Sequence, residues 1–422
     1  MQNKLKVVAI GRNIMKLRYA RILPFTILLI SVYSILQWCS IPIGNTFVWW
    51  CIQGIILFFS LKLKPCGYSI WQIKLYLIYL YISAIYGSIF MVENYWDWKL
   101  LIFNLLAYSL PLVAYVYFEP TLLIRTLRVW VKYAWIILLI LMPFLWSDAY
   151  GRYLAPFTFI ALFMPLLNLR YRIYVIVAYI ITLVLGIDDR SSTIKFSVAI
   201  IFSCLFLLGK FRILFSGIVK FAFITLMIMP AIFFVLGITG IFNIFQIENE
   251  LGLNGQFMKK NSLGEDVTAL SDTRTFIYVE EISSAIKHNY VVQGRSIARG
   301  YESLAFGRSI DENYGVNRGE RGGSEVSIMN IFNYMGIIGV FIYFLIFWGA
   351  AYKAVYKSNN IYMPILGLFV AFRWCYAWIH DPMVFHISTF ILFVMVGMCY
   401  SPVYRGYTNK DFKELFIKPL IR

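Results

Sequence analysis

The stretch Gly322–Phe341, GGSEVSIMNIFNYMGIIGVF, is where the largest polar segment of this chain turns into an apolar run. Before it, Asn243 to Glu325 is polar and rich in Arg, Glu and Gly. After it, apolar residues continue long enough for a helix to cross ~30 Å of hydrocarbon, which takes ~20 residues. Such runs recur along nearly the whole chain. The pattern is therefore one of membrane spans interrupted by a single large insert.

Composition agrees. Of 422 residues, 60% are hydrophobic, 18% aromatic and only 14% charged, well below the charged share of a soluble domain. Backbone groups in lipid must be satisfied internally, which predicts helices. The alternation of a β-barrel is absent. The expectation is an all-α polytopic membrane protein of about twelve transmembrane helices. They are placed near Ile22–Ile41, Thr46–Leu61, Ile70–Phe90, Lys99–Phe118, Val129–Trp146, Leu154–Leu169, Ile173–Ile187, Thr193–Leu208, Phe221–Phe242, Val326–Ala350, Ile361–Trp378 and Val384–Tyr400. Residues 1–242 hold the first nine, 243–325 form the large loop, and 326–422 hold the last three and a tail, all as one integrated domain. No repeat or low-complexity tract interrupts this plan.

Lys and Arg set the orientation. Placing the N-terminus inside puts Lys4, Lys6, Arg12, Lys16, Arg18, Arg21, Arg125, Arg128, Arg170, Arg172, Lys353, Lys357 and Arg405 in inner segments. Only Lys99, Arg152, Arg190 and Lys195 then fall in short outer loops. Both termini are expected in the cytoplasm, with the first span retained and the Asn243–Glu325 loop outside. The net charge of +17 follows from this bias and from contact with anionic lipid heads. No basic helix with interleaved aromatics offers a nucleic-acid surface.

Within the loop, Ser271–His288 carries Phe276, Ile277, Val279, Ile282, Ala285 and Ile286 at spacings that predict an amphipathic helix. Ser271 or Asp272 would cap it. The Gly- and Arg-rich stretch Gly294–Gly323 shows little periodicity, as expected of a mobile or ligand-wrapping segment.

The expensive charges come next. Arg190 lies in GIDDRSSTIK (Gly186–Lys195). It either pairs with its own acids in a turn or forks onto phosphate oxygens. Arg274 opens the loop helix. Arg295 and Arg299 flank Ile297 in GRSIARG, where Gly allows close backbone approach. Arg152, in YGRYLAP, is a further outer arginine. Glu325, at the water–lipid boundary, is a candidate proton acceptor or simply an acid favoured by a helix N-terminus. His288, His380 and His386 have no metal-ligand spacing, though His380 and Asp381 could pair. Arg373 lies inside an expected span, where it lines a cavity or snorkels. Trp96, Trp98 and Tyr301 could stack on sugar rings.

Several of these residues fall in an order that resembles the bacterial O-antigen polymerase and ligase superfamily. Arg152 stands ahead of Pro156, which opens a span. Arg190, Ser191 and Ser192 lead into a span. Arg274 starts a loop helix, with Gly294 about twenty residues on. The loop then re-enters the membrane through Glu325 and the run Tyr334, Met335, Gly336, Ile337, Ile338 and Gly339. The resemblance covers most of the chain in topology and these patches in sequence. The ligase typically has His where Glu325 stands, which favours the polymerase.

That resemblance implies glycosyl transfer at the periplasmic face of the bacterial inner membrane. Donor and acceptor would both be undecaprenyl-pyrophosphate-linked oligosaccharides, met among membrane lipids. Arg190 and Arg274 would hold pyrophosphate, assisted by Arg295 or Arg299, with Arg152 and Arg373 nearby. Glu325 would be the base and His288 its substitute. No cofactor or metal is expected, and a chain-length regulator protein is an expected partner. The rival expectations are an O-antigen ligase and a lipid-linked oligosaccharide flippase.

Overall fold

A computed structural model describes residues 19–63, 69–186, 188–239, 241, 258–260, 266–268, 274–304, 306–307, 311 and 318–420. The basic N-terminal residues before Tyr19 and the expected caps Ser271 and Asp272 lie outside them. The chain is mostly helical. In order, the main helices are α1 Tyr19–Trp38, α2 Thr46–Leu63, α3 Trp71–Phe90, α4 Tyr95–Tyr108, α5 Pro120–Leu141, α6 Ser147–Tyr153, α7 Pro156–Ala161, α8 Leu169–Val184 and α9 Arg190–Cys204. They continue with α10 Arg212–Ile238, α11 Arg274–Lys287, α12 Ser327–Tyr356, α13 Tyr362–Tyr376 and α14 Ile387–Tyr400. Two antiparallel strand pairs lie in the loop region, β1 Met258–Lys260 with β2 Asp266–Thr268, and β3 Tyr301–Glu302 with β4 Glu320–Arg321.

Among the described residues, 8 helices are long and apolar enough to cross a membrane. The expected span near Leu154–Leu169 resolves into the short α7 and a 3-10 turn at Met164–Leu166. The last two expected spans, α13 and α14, are shorter apolar helices. The reason is visible in their burial. Nearly every residue of α13 and α14 is enclosed by protein, chiefly by α10 and α12 and, for α14, by the segment Val113–Val116. A helix apolar all round belongs in such a core. Irregular backbone at its ends is tolerated because protein, not lipid, surrounds it. By contrast α10 exposes Phe221, Ile224, Ile228, Ile232 and Val235, an apolar stripe suited to lipid.

The loop is built into the bundle. α12 is broken at Gly336, whose φ is 62° and ψ −167°. The break frees the carbonyls of Asn333 and Tyr334, and these accept from Arg295 N at 2.7 Å and Ser296 N at 3.1 Å. In return Ile337 N and Ile338 N donate to Val291 O at 3.0 Å and Val292 O at 3.3 Å. Gly294, at φ 79°, lies against the break so closely that a Cβ would collide with the backbone of Tyr334, Met335 and Gly336. Side chains of α3 and α4 complete the grip. Tyr79 Oη donates to Gln293 O at 3.1 Å, Asn104 Nδ2 to Ile297 O at 2.9 Å, and Ser296 Oγ to Ser83 O at 2.8 Å.

Replacing Gly336 or Gly294 by Ala should each lower stability by about 1–3 kcal/mol or more through forced left-handed backbone and collision. Gly54→Ala, where an added Cβ meets nothing within 4 Å, should change stability by less than about 0.5 kcal/mol. Thermal unfolding of the purified full chain in detergent checks both; equal effects at Gly54 and Gly336 would refute the account.

Candidate functional site

Charged side chains from four segments meet at the loop-bearing end of the bundle. The N-terminus of α9 is capped by Asp189, which accepts from Ser192 N at 3.1 Å. One turn on, Lys195 is buried, with its Nζ 3.1 Å from Asp381 Oδ1. Arg373, from the last turn of α13, is only 2% exposed and places its Nη2 2.6 Å from Asp381 Oδ2. Burial alone would raise the Asp381 carboxyl, but Arg373 and Lys195 hold it well below the usual carboxylate range. Asp381 adopts a positive φ of 75°, a strained conformation that the two cations sustain.

The expected His380–Asp381 pair does not form, because the cations outcompete a neutral ring for the carboxylate. Burial, with Lys195 and Arg274 beside it, pushes His380 down to about 4. Its Nδ1 is buried without a hydrogen-bond partner, as are Arg152 Nε, Asp189 Oδ2 and Ser191 Oγ around the same small cavity. Arg152 lies over the Trp38 ring at 3.7 Å. Arg373 is locked in its ion pair, not lining open space. Lys195, expected in an outer loop, is instead a buried intramembrane charge. Arg190 is exposed at the first position of α9. Arg274 comes to the cluster from the loop, close enough to act on His380, Tyr376 and Tyr278.

Beside this cluster lies an apolar groove of about 550 Å³ between α10 and α11. Pro230, Phe233 and Phe234 form one wall, and Tyr278 and Ile282 the other. Thr275 and Ile379 also line it, and they are the chain neighbours of Arg274 and His380. The groove thus runs along α10 and reaches the residues next in sequence to Arg274 and His380. Tyr278 Oη donates to Trp378 O at 2.6 Å, tying α11 to the same end.

Arg295 and Arg299 fall in a different cluster. Both grip Glu320, at 2.7 and 2.6 Å. Arg318 pairs with Asp97 at 3.0 Å and also with Glu93. A cleft of about 460 Å³ opens here, lined by Trp96, Asp97, Arg318 and Glu320 among others. Tyr301 is fully buried and offers no face to a sugar, whereas Trp96 does line the cleft. Glu325 is 49% exposed and 3.1 Å from Arg321, so the boundary burial expected for it is absent. His288 Nε2 sits 3.1 Å from Glu302. It follows α11, while Arg274 begins it, so the two are ~20 Å apart by helical rise.

One residue escaped the sequence reading. Glu281 is 0% exposed and neither carboxylate oxygen has a hydrogen-bond partner. Burial pushes its pKa up to about 8, against the pull of Ser324 and Arg321. The signal was available: Ile277, Glu281 and Ala285 follow each other at helical spacing on the inner face of α11. Among the described residues no group of three His, Cys, Asp or Glu side chains is placed to hold a metal ion.

Asp381→Asn leaves Lys195 and Arg373 buried without their counter-charge and should cost about 3–5 kcal/mol. An unchanged melting temperature would refute that pairing. Glu281 binds its proton more tightly folded than unfolded, so stability should fall as pH rises from about 4.5 to about 8. Glu281→Gln should flatten this slope, at most about 1.4 kcal/mol per pH unit, in melts recorded across that window. No protein-family model, no curated protein and no solved structure matches the chain, so what the site can do is argued from its own chemistry.

Proposed function

We propose that this chain is a glycosyltransferase of the O-antigen polymerase type. It moves an oligosaccharide from undecaprenyl pyrophosphate onto a second lipid-linked unit at the outer membrane face. One observation carries the reading: an apolar groove along α10 reaches the residues next in sequence to Arg274 and His380, beside the cluster of buried charges. Arg152, Lys195, Arg274 and Arg373 act there against Asp148, Asp188, Asp189 and Asp381, and Arg190, exposed at the first position of α9, is the further cation of this end. A long isoprenoid tail suits the groove, and its pyrophosphate suits the cations. In the reaction an acceptor hydroxyl attacks the anomeric carbon. The bond from that carbon to the pyrophosphate oxygen breaks, and the leaving diphosphate is stabilised by the cations. Arg190 and Arg274 are assigned to it. Arg295 and Arg299 are already occupied by Glu320, which argues against their assisting. Glu325 takes the hydroxyl proton, and its water-accessible carboxylate suits that role. The start of α12 lies near the cluster, since Ile328 N donates to Ala377 O at 3.1 Å. In this reading α13 and α14 join the 8 longer helices, α7 and α8 take the places of the two remaining expected spans, and the protein lies in the inner membrane with both termini cytoplasmic and the loop periplasmic.

A second reading is favoured by one finding. Lys195 joins Arg373 as a buried charge within the helices, both paired to Asp381 between α13 and α14, which is more than the sequence suggested, and intramembrane charge suits a flippase for lipid-linked oligosaccharide.

The lipopolysaccharide ladder of a deletion strain separates these readings. Core carrying a single repeat unit is the expected result. Bare core with polymer left on the carrier lipid would mean a ligase, and bare core with units stranded on the inner leaflet a flippase. Complementation with Arg274→Ala or Arg190→Ala should reduce long chains by about ten-fold or more. Normal chain length in both would remove the pyrophosphate assignment.

A further inference from the structure

The cleft beside Arg318 is not isolated. It shares Thr46, Trp50, Lys99 and Phe103 with a neighbouring cavity of about 430 Å³. That cavity in turn shares Val384 and His386 with the small polar cavity at Lys195 and Asp381. Together they form a trough across one end of the bundle, from the loop to the cation cluster.

Three properties of the trough define its ligand. Its walls hold flat rings at intervals: Trp96, Trp50, Phe103 and Trp49. Its charges balance in the cleft, Asp97, Asp311 and Glu320 against Lys99, Arg318 and Arg321, with Arg318 paired to Asp97, which leaves no surplus for a phosphate. Its shape is set in advance. Trp49 Nε1 donates to Ile43 O at 2.7 Å, Gly44 turns the wall at φ 74°, and Lys99 lies 4.8 Å from the Trp96 ring centre. Rings that pack on apolar C–H faces, with neutralised donors and acceptors at their rims, suit a polyhydroxylated chain and suit neither a lipid tail nor a polyanion.

We infer that this trough is a glycan track, holding several sugar units of an oligosaccharide whose pyrophosphate end lies at the Asp381 cluster. The inference rests on the polymerase reading for the direction of the chain, but not for the binding itself. Trp50 and Lys99, which line both larger cavities, act as its central ring and its central donor. The two larger volumes, about 460 and 430 Å³, fall within the ~300–1,000 Å³ of small-molecule sites, and the polar cavity at Lys195 and Asp381 is about 30 Å³, so the sugar units occupy the larger two, which together exceed one sugar and favour longer chains.

The test uses the full chain purified in detergent and two separate probes. One is a set of length-sorted oligosaccharides cut from the host's own surface polysaccharide; the other is undecaprenyl pyrophosphate without sugar. Affinity for the oligosaccharides should rise with length. Trp50→Ala and Lys99→Gln should each weaken it by about ten-fold, and Trp50→Phe should restore most of it. Undecaprenyl pyrophosphate should bind all three variants as it binds the native chain. Oligosaccharide binding that is absent, independent of length, or undiminished in both Trp50→Ala and Lys99→Gln overturns the track. Glycan binding without any undecaprenyl pyrophosphate binding keeps the track and overturns the polymerase reading instead.

Discussion

The exchange of backbone hydrogen bonds between residues 291–296 and the break in α12 is the constraint on which the other features depend. A helix broken within a membrane span has carbonyls and amides that lipid cannot satisfy. Here they are satisfied by the loop that precedes the helix, and the loop is held in register by the same bonds. Two glycines in the left-handed region, Gly294 and Gly336, allow the two backbones to touch. The described residues that follow Gly294 in the loop take their places beside this contact. Arg295 and Arg299 reach Glu320, Ile297 is seated against Asn104, and β3 meets β4.

Electrostatics divide the loop-bearing end into two regions of opposite character. Around Asp381 the cations come from spans and loop alike, and buried polar atoms remain unsatisfied. Around Glu320 and Asp97 acids and bases are matched. A region with unsatisfied donors and several cations suits an anion, while a matched one suits a neutral polar ligand. α11 stands between the apolar groove and the matched cleft, with Tyr278 and Ile282 facing one and Glu281 buried toward the other. One short amphipathic helix thus separates surfaces of different chemistry.

Much of the fold was legible. Run length and the excess of apolar residues indicated helical spans, and the limits of α2, α3 and α11 fall close to those read from the chain. The central helices α13 and α14 came out shorter because length in a core is set by neighbours, not by hydrocarbon thickness. The site was legible in parts. Gly294 and the Gly336 run were noticed as separate patches, yet nothing in one dimension showed that they touch. Lys195 and Asp381 lie far apart in sequence, so their ion pair had no local signature. Glu281 had no decisive local signature, because an acid between apolar members of an amphipathic face is indistinguishable in sequence from one at the solvent edge. The assignment of Arg295 and Arg299 to a ligand missed that Glu320 already holds them.

The interlocked break in α12 also dictates an order of assembly. Residues 291–296 leave the ribosome before α12 does, and in the proposed orientation they cross the membrane while their partners are still unmade. They must wait in water, hydrated and unpaired, until the following span has been inserted and kinked. The closing of loop onto helix therefore follows the insertion of α12, after which neither can withdraw without leaving bare amides and carbonyls unpaired. A chain truncated before Gly336 would carry a loop with nothing to seat it, and such a fragment is a natural target for quality-control proteolysis at the outer surface.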